Sequence, residues 1–163
     1  MIPEGLVPLR WFPHRKETHM IEKFTGSNDF LSNFYPCEII FEGAPYPTVE
    51  HAFQAAKTFD KPSRLKIAAL TTPGKAKAAG KKVQLREGWD TIRTDIMREI
   101  IRFKFRHHAE LAQKLLDTGE QELIEGNSWN DTFWGVCRGK GQNWLGKILM
   151  EARTELQPTL TQN

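Results

Sequence analysis

Between Trp89 and about His107 the apolar residues fall on two lines. Trp89, Ile92, Ile96, Ile100 and Phe103 repeat at threes and fours, and Met97, Ile101 and Phe105 form a second line beside them. One apolar stripe describes a surface helix; two describe a helix buried from two sides. The rest of the chain must therefore pack around a central rod of roughly 28 Å, at about 1.5 Å per residue. Arg93, Arg98, Arg102 and Arg106 take the other faces. Lys104 sits between Phe103 and Phe105, where its stem can lie on apolar surface while its ammonium reaches water or an anion.

The stretch Thr48 to Lys57 is a second, shorter helix. Thr48 is an N-cap by composition, and Pro47 before it keeps Tyr46 extended. Val49, Ala52, Phe53 and Ala56 make a buried stripe. Glu50, Gln54 and Lys57 make a polar one beside it. That stripe is either a solvated face with a dipole-favoured glutamate or a set of groups that meets one polar ligand.

The remaining segments are read by the same rules. Residues 1–20 show no period and read as an N-terminal extension; 21–157 read as one domain and 158–163 as a C-terminal tail. Ile21–Phe24 and Cys37–Phe41 are candidate strands, with Glu42-Gly43 turning the second. Pro62–Leu70 is a short helix with Leu65, Ala68 and Ala69 expected inward. Thr72-Pro73 opens another that stops at Gly80. Ala109–Thr118 is a helix, Glu122–Glu125 a strand, and a last helix runs from the Gly139–Asn143 turn to about Leu156. No apolar run approaches the ~20 residues that span a bilayer, so no membrane partner is expected. Cys37 and Cys137, with no secretion signal, point to free thiols in the cytoplasm. Neither cysteine nor histidine spacing suits a metal site.

Net charge is only +3, yet residues 61–106 carry 13 Lys/Arg against 4 Asp/Glu. A basic segment of this kind either faces solvent or attracts an anion such as a phosphate or nucleic acid. The Gly139-x-Gly141 turn before the last helix is a second candidate anion site, since helix N-termini offer free N–H groups. Asp131 lies among Trp129, Phe133 and Trp134. It is either a pocket carboxylate or the cap of an Asx-turn. Trp89 is a core anchor or a platform for a planar base.

Several of these stretches occur together in one known family. Phe30-Leu31-Ser32-Asn33-Phe34-Tyr35-Pro36 is followed by Tyr46-Pro47-Thr48-Val49-Glu50-His51-Ala52-Phe53-Gln54-Ala55-Ala56-Lys57. Trp89-Asp90, Met97 and Lys104-Phe105 come next, then Leu116-x-Thr118-Gly119 and Leu123-Ile124-Glu125. Asn130-Asp131-x-x-Trp134-Gly135 and Gly139-x-Gly141-x-Asn143-x-x-Gly146 close the series. The chain resembles the NADAR superfamily over roughly residues 21–156, and in particular its YbiA-like N-glycosidases. Cys137 departs from the Gly-rich sequence that many relatives carry after Trp-Gly.

The resemblance implies an α+β domain, mainly helical with a small β-sheet. It implies hydrolysis of an N-glycosidic bond to ribose, with Glu50, Asp131 and Trp89 as the catalytic set. It extends the substrate-binding set to Asn33, Phe34, His51, Gln54, Lys57, Lys104, Trp134, Gly139, Gly141 and Asn143. Two carboxylates suit an oxocarbenium-like transition state. Asp131 would stabilise the cation or activate water, and Glu50 would hold ribose hydroxyls or donate a proton; the reverse assignment stays open. Trp89 and Phe34 would stack on the base, with Asn33 and Gln54 on its polar edge. Lys57, Lys104 and the Gly139–Gly141 helix start would bind phosphate. The scheme calls for no metal and no cofactor. Its substrate is a phosphorylated ribosylamino-pyrimidine of riboflavin synthesis, a small phosphorylated ribosylated molecule. ADP-ribose on a nucleobase of nucleic acid is the alternative substrate. A non-catalytic ADP-ribose or nucleotide reader is the third reading, which the retained pair of carboxylates argues against.

Overall fold

A computed structural model describes residues 19–158. Most of the expected N-terminal extension and nearly all of the C-terminal tail lie outside the described residues. The architecture is helical around α4, which runs over Trp89–His107 as its two apolar lines require. Trp89, Ile96 and Ile100 are buried on one line, and Met97, Ile101 and Phe105 on the other. One side of α4 packs on α1 (Val49–Ala56), the other on α5 (Ala109–Asp117) and α6 (Trp144–Leu156). Two short helices, α2 (Lys61–Ala68) and α3 (Pro73–Gly80), complete the shell over α1.

Among the described residues the strands form three separate two-stranded ladders instead of one small sheet. Parallel β1 (Met20–Ile21) and β4 (Glu122–Leu123) tie the start of the domain to its later half. Antiparallel β2 (Ile39–Phe41) and β3 (Ala44–Tyr46) make the hairpin that leads into α1. Parallel β5 (Gly126–Asn127) and β6 (Val136–Cys137) bracket a loop over residues 128–135.

Local chemistry sets the helix ends that matter for the site. The Thr48 side chain accepts from the His51 N–H at 3.2 Å, so α1 begins where Pro47 ends the hairpin. Thr72 caps α3 in the same way through the Lys75 N–H. The inward face expected for α2 needs correction. Leu65 is 71% exposed and Ala69 is exposed too; Ile67 is the fully buried residue. In so short a helix the side that meets α1 is chosen by the neighbouring helices, not by its own weak period.

Candidate active site

Helix α1 has no solvated face. Glu50, His51 and Gln54 are as buried as its apolar residues, with Glu50 at 6% and Gln54 at 4% exposure. The Gln54 amide donates to Glu50 Oε1 at 2.6 Å. Burial pushes the Glu50 carboxyl above its usual range; the Gln54 hydrogen bond and the charges of Lys77 and Lys57 pull it back, and Asp131 pushes it up again. A cavity of about 240 Å³ opens in front of this pair. Phe53, Met97, Trp134 and Leu145 contribute apolar wall, and Glu50, Glu125 and Asp131 are its three acidic groups. Lys57, Lys77 and Lys81 supply positive charge, while Phe34 and Trp129 are the exposed aromatics at its edge.

Asp131 has both of the roles weighed for it. Its Oδ1 accepts from the Phe133 N–H at 3.1 Å and the Trp134 N–H at 2.9 Å, an Asx-turn that fixes the 128–135 loop. Asn127 locks the same turn by donating to the Asp131 carbonyl and accepting from its N–H. The residue also lines the cavity, so the turn aims the carboxylate as well as shaping the loop. Asn33 joins from the segment before the hairpin. Its carbonyl accepts from the Glu50 N–H at 3.0 Å, its amide approaches Met97 Sδ at 3.7 Å, and its Oδ1 is buried without a partner.

Six residues singled out from the sequence do not reach the cavity wall: Trp89, His51, Lys104, Gly139, Gly141 and Asn143. Trp89 is 6% exposed and packs on Phe53 at 5.2 Å between ring centroids; it supports the wall from behind and has no face for a base. His51 bridges Thr48 Oγ1 and the Leu70 carbonyl, which pins α1 to the segment before α3. Because a carbonyl only accepts, Nε2 carries the proton in that bridge. Lys104 is fully buried and donates to the Ser32 carbonyl at 3.0 Å. Burial lowers its ammonium to about 8, with Cys37 and Asp29 opposing the fall. It neither snorkels nor meets a phosphate; it holds the segment that carries Asn33 and Phe34.

The expected anion site at Gly139–Gly141 is not formed. The N–H groups of Gln142, Asn143, Trp144 and Leu145 donate to the carbonyls of Thr132, Gly135, Phe133 and Trp134. The loop takes the donors a phosphate would need. A Cβ on Gly141 would stand 2.1 Å from the Gly135 carbonyl oxygen, so glycine serves a backbone crossing there. Asn143 is likewise structural, with Oδ1 accepting from the Glu125 N–H and Nδ2 donating to the Leu123 carbonyl.

Positive charge gathers instead on α1 and α3. Lys57 is half-buried, and desolvation lowers its ammonium; Glu50 opposes this, while Lys77, Lys81 and Arg93 add to it. Each of these cations disfavours the charged form of its neighbours, a cost that a bound anion would relieve. Lys77, Lys81, Glu125 and Trp129 also line the cavity, outside the binding set expected from the sequence. The basic run around α3 signalled the two lysines, and the Leu123-Ile124-Glu125 stretch signalled Glu125. Among the described residues no group of three His, Cys, Asp or Glu side chains is placed to hold a metal ion.

Residues 19–157 match the model of the NADAR domain family. The chain belongs to the NADAR family. It is 37% identical over 148 residues to the N-glycosidase YbiA of Escherichia coli (strain K12), an alignment that covers 88% of this chain and 92% of that protein. It is 41% identical over 134 residues to a riboflavin biosynthesis protein of Vibrio vulnificus (strain YJ016), covering 80% of this chain and 36% of that longer protein. The NMR structure of E. coli YbiA superposes with a TM-score of 0.74 at 34% identity, over 86% of this chain and 89% of that one. The NADAR fold is thus the α+β, mainly helical single domain that the residues and the resemblance led us to expect. No helix among the described residues is long and apolar enough to cross a membrane.

Proposed function

We propose that this NADAR-family N-glycosidase hydrolyses the bond between C1 of a ribose 5-phosphate and an amino nitrogen of a pyrimidine, as in the phosphorylated ribosylamino-pyrimidines of riboflavin synthesis. The observation that carries the reading is the meeting of Glu50 and Asp131 with Lys57, Lys77 and Lys81 around one small cavity. Asp131, with Oδ1 tied to the backbone, keeps Oδ2 for the anomeric carbon or for the water that attacks it. Glu50, gripped by Gln54, suits the ribose hydroxyls. The three lysines bind the phosphate, and Phe34 and Trp129 flank the base at the mouth. Relatives named as N-glycosidase and as riboflavin biosynthesis protein support the same chemistry. Unpaired Cys37 and Cys137 suit the cytoplasm, where we place the protein.

ADP-ribose on a nucleobase of nucleic acid is the second reading, favoured by exposed Lys75 and Lys82, which extend the basic rim along α3. Cavity size favours the first: about 240 Å³ lies below the ~300–1,000 Å³ of common ligand pockets and suits a monophosphate better than a dinucleotide-sized ligand. A panel of ribosylamino-pyrimidine phosphate, ADP-ribosylated DNA and free ADP-ribose tests the choice. Faster cleavage of the small substrate, with a shallow salt dependence, is expected. Better turnover of the DNA substrate, with affinity falling at a log–log slope of about −0.7 to −0.9 per phosphate contact, would overturn it.

A further inference from the structure

The cavity contains a third acidic side chain with no task in the scheme above. Glu125 follows β4, and its backbone is fixed at both ends. Its N–H donates to Asn143 Oδ1 at 3.0 Å, and its carbonyl accepts from the Val136 N–H at 2.8 Å. The side chain lines the cavity beside Glu50 and Asp131, yet its Oε2 is buried without a hydrogen-bond partner. The other two acids each have an oxygen held by the protein, Glu50 by Gln54 and Asp131 by two backbone N–H groups. A buried carboxylate oxygen with nothing to bind, on a fixed backbone and lining a cavity, is available to a ligand.

We propose that Glu125 is a further catalytic residue, the general acid that protonates the leaving nitrogen; this rests on the N-glycosidase reading. The C1–N bond breaks and its electron pair goes to nitrogen, which takes the proton from Glu125. Water adds its oxygen to C1 and gives one proton to Asp131. Glu125 ends as the carboxylate and Asp131 as the acid, and exchange with solvent resets both. The surroundings agree with this role. Burial raises the Glu125 carboxyl to about 7, Asp131 and Glu50 add to the rise, and Lys77 opposes it. The charged groups that act on it are Glu50 from α1, Lys77 from α3 and Asp131 from the loop. An acid poised near neutrality is the most effective proton donor there.

Leaving-group dependence tests the assignment. A ribosylamino-pyrimidine must receive a proton to depart, whereas an N-ribosyl pyridinium 5-phosphate releases a neutral pyridine without one. Glu125→Gln should lose on the order of 10²–10⁴-fold in kcat on the first substrate and less than about tenfold on the second. The wild-type kcat/KM on the first substrate, which reports the free enzyme's acid, should fall as pH rises through about 7. That alkaline limb should vanish in Glu125→Gln and persist, at a reduced rate, in Glu125→Asp. Equal losses on both substrates, or an alkaline limb retained in Glu125→Gln, would overturn the proposal. Wild-type protein inert toward both substrates would overturn the glycosidase reading and this proposal with it.

Discussion

Replacing Gly80 with alanine tests how the Glu50 carboxylate is held. Gly80 is the last residue of α3, and an added Cβ would stand 1.9 Å from Gln54 Oε1 and 2.7 Å from its Cδ. No real Cβ sits so close, so the Gln54 amide must leave its position against α3. Overpacking of this kind costs about 1–3 kcal/mol. Alanine returns up to about 1 kcal/mol through helix propensity. If Gln54 swings away, it gives up the 2.6 Å bond to Glu50, and a bond to a charged group is worth about 1.5–3 kcal/mol. With the full helix-propensity gain taken off, the net loss is about 0–2 kcal/mol on the first route and about 0.5–2 kcal/mol on the second, so up to roughly 8 °C in Tm for a chain of this size. The turnover number should fall with it, because Glu50 loses its one side-chain clamp. Thermal unfolding and steady-state kinetics on Gly80→Ala, Gln54→Ala and the double variant complete the test. The double variant should lose less than the sum of the two single variants, since the Oε1 and Cδ contacts are gone and only the residue-54 Cβ, 2.9 Å from the added Cβ, still presses on it. Wild-type Tm and kcat in Gly80→Ala, or fully additive losses in the double variant, would refute this account of the clamp.

Glu50→Gln should fold normally and lose most activity, on the order of 10²-fold or more in kcat. Because burial raises the Glu50 carboxyl above 4.5, its contribution to stability is lost as pH rises through that raised value. Glu50→Gln should lack this loss in pH-dependent unfolding. Lys57→Ala should raise KM more than it lowers kcat, as expected for a uniform phosphate contact; an unchanged KM with a lower kcat would count against it. Lys104 falls from 10.5 to about 8, so the unfolded chain binds the extra proton between those values. Wild-type stability should therefore climb from pH 8 to pH 10.5, and Lys104→Met should flatten that rise in a urea titration at several pH values.

The long-range design was legible because it rests on strong periods. The two apolar lines of α4, the Thr48 cap with Pro47, and the Thr72-Pro73 to Gly80 helix all follow from local rules. What failed was any reading that asked a local pattern about a distant neighbour. The Gly139-x-Gly141 turn has the local form of an anion site, and only the fold shows the 132–135 carbonyls lying across its donors. Lys104 looked free to snorkel because nothing in its own helix announces that the Ser32 segment covers it. Leu65 was expected inside because it is apolar, although α1 meets the side of α2 that carries Ile67. Glu125 was visible as the end of a strand and of the Leu123-Ile124-Glu125 stretch, and its place beside Glu50 and Asp131 arises where the 128–135 loop folds over the cavity. Lys77 and Lys81 belonged to a charge run that looked the same whether it faced solvent or a phosphate.

The central claim is that the Glu50 and Asp131 site cuts a C–N bond to ribose 5-phosphate. The most direct measurement incubates a phosphorylated ribosylamino-pyrimidine with wild-type protein and with Asp131→Asn, and counts free base and ribose 5-phosphate by mass spectrometry. The account predicts one base per sugar phosphate from the wild type, and only background release from a folded Asp131→Asn. No release by the wild type, or equal release by the two proteins, would contradict it.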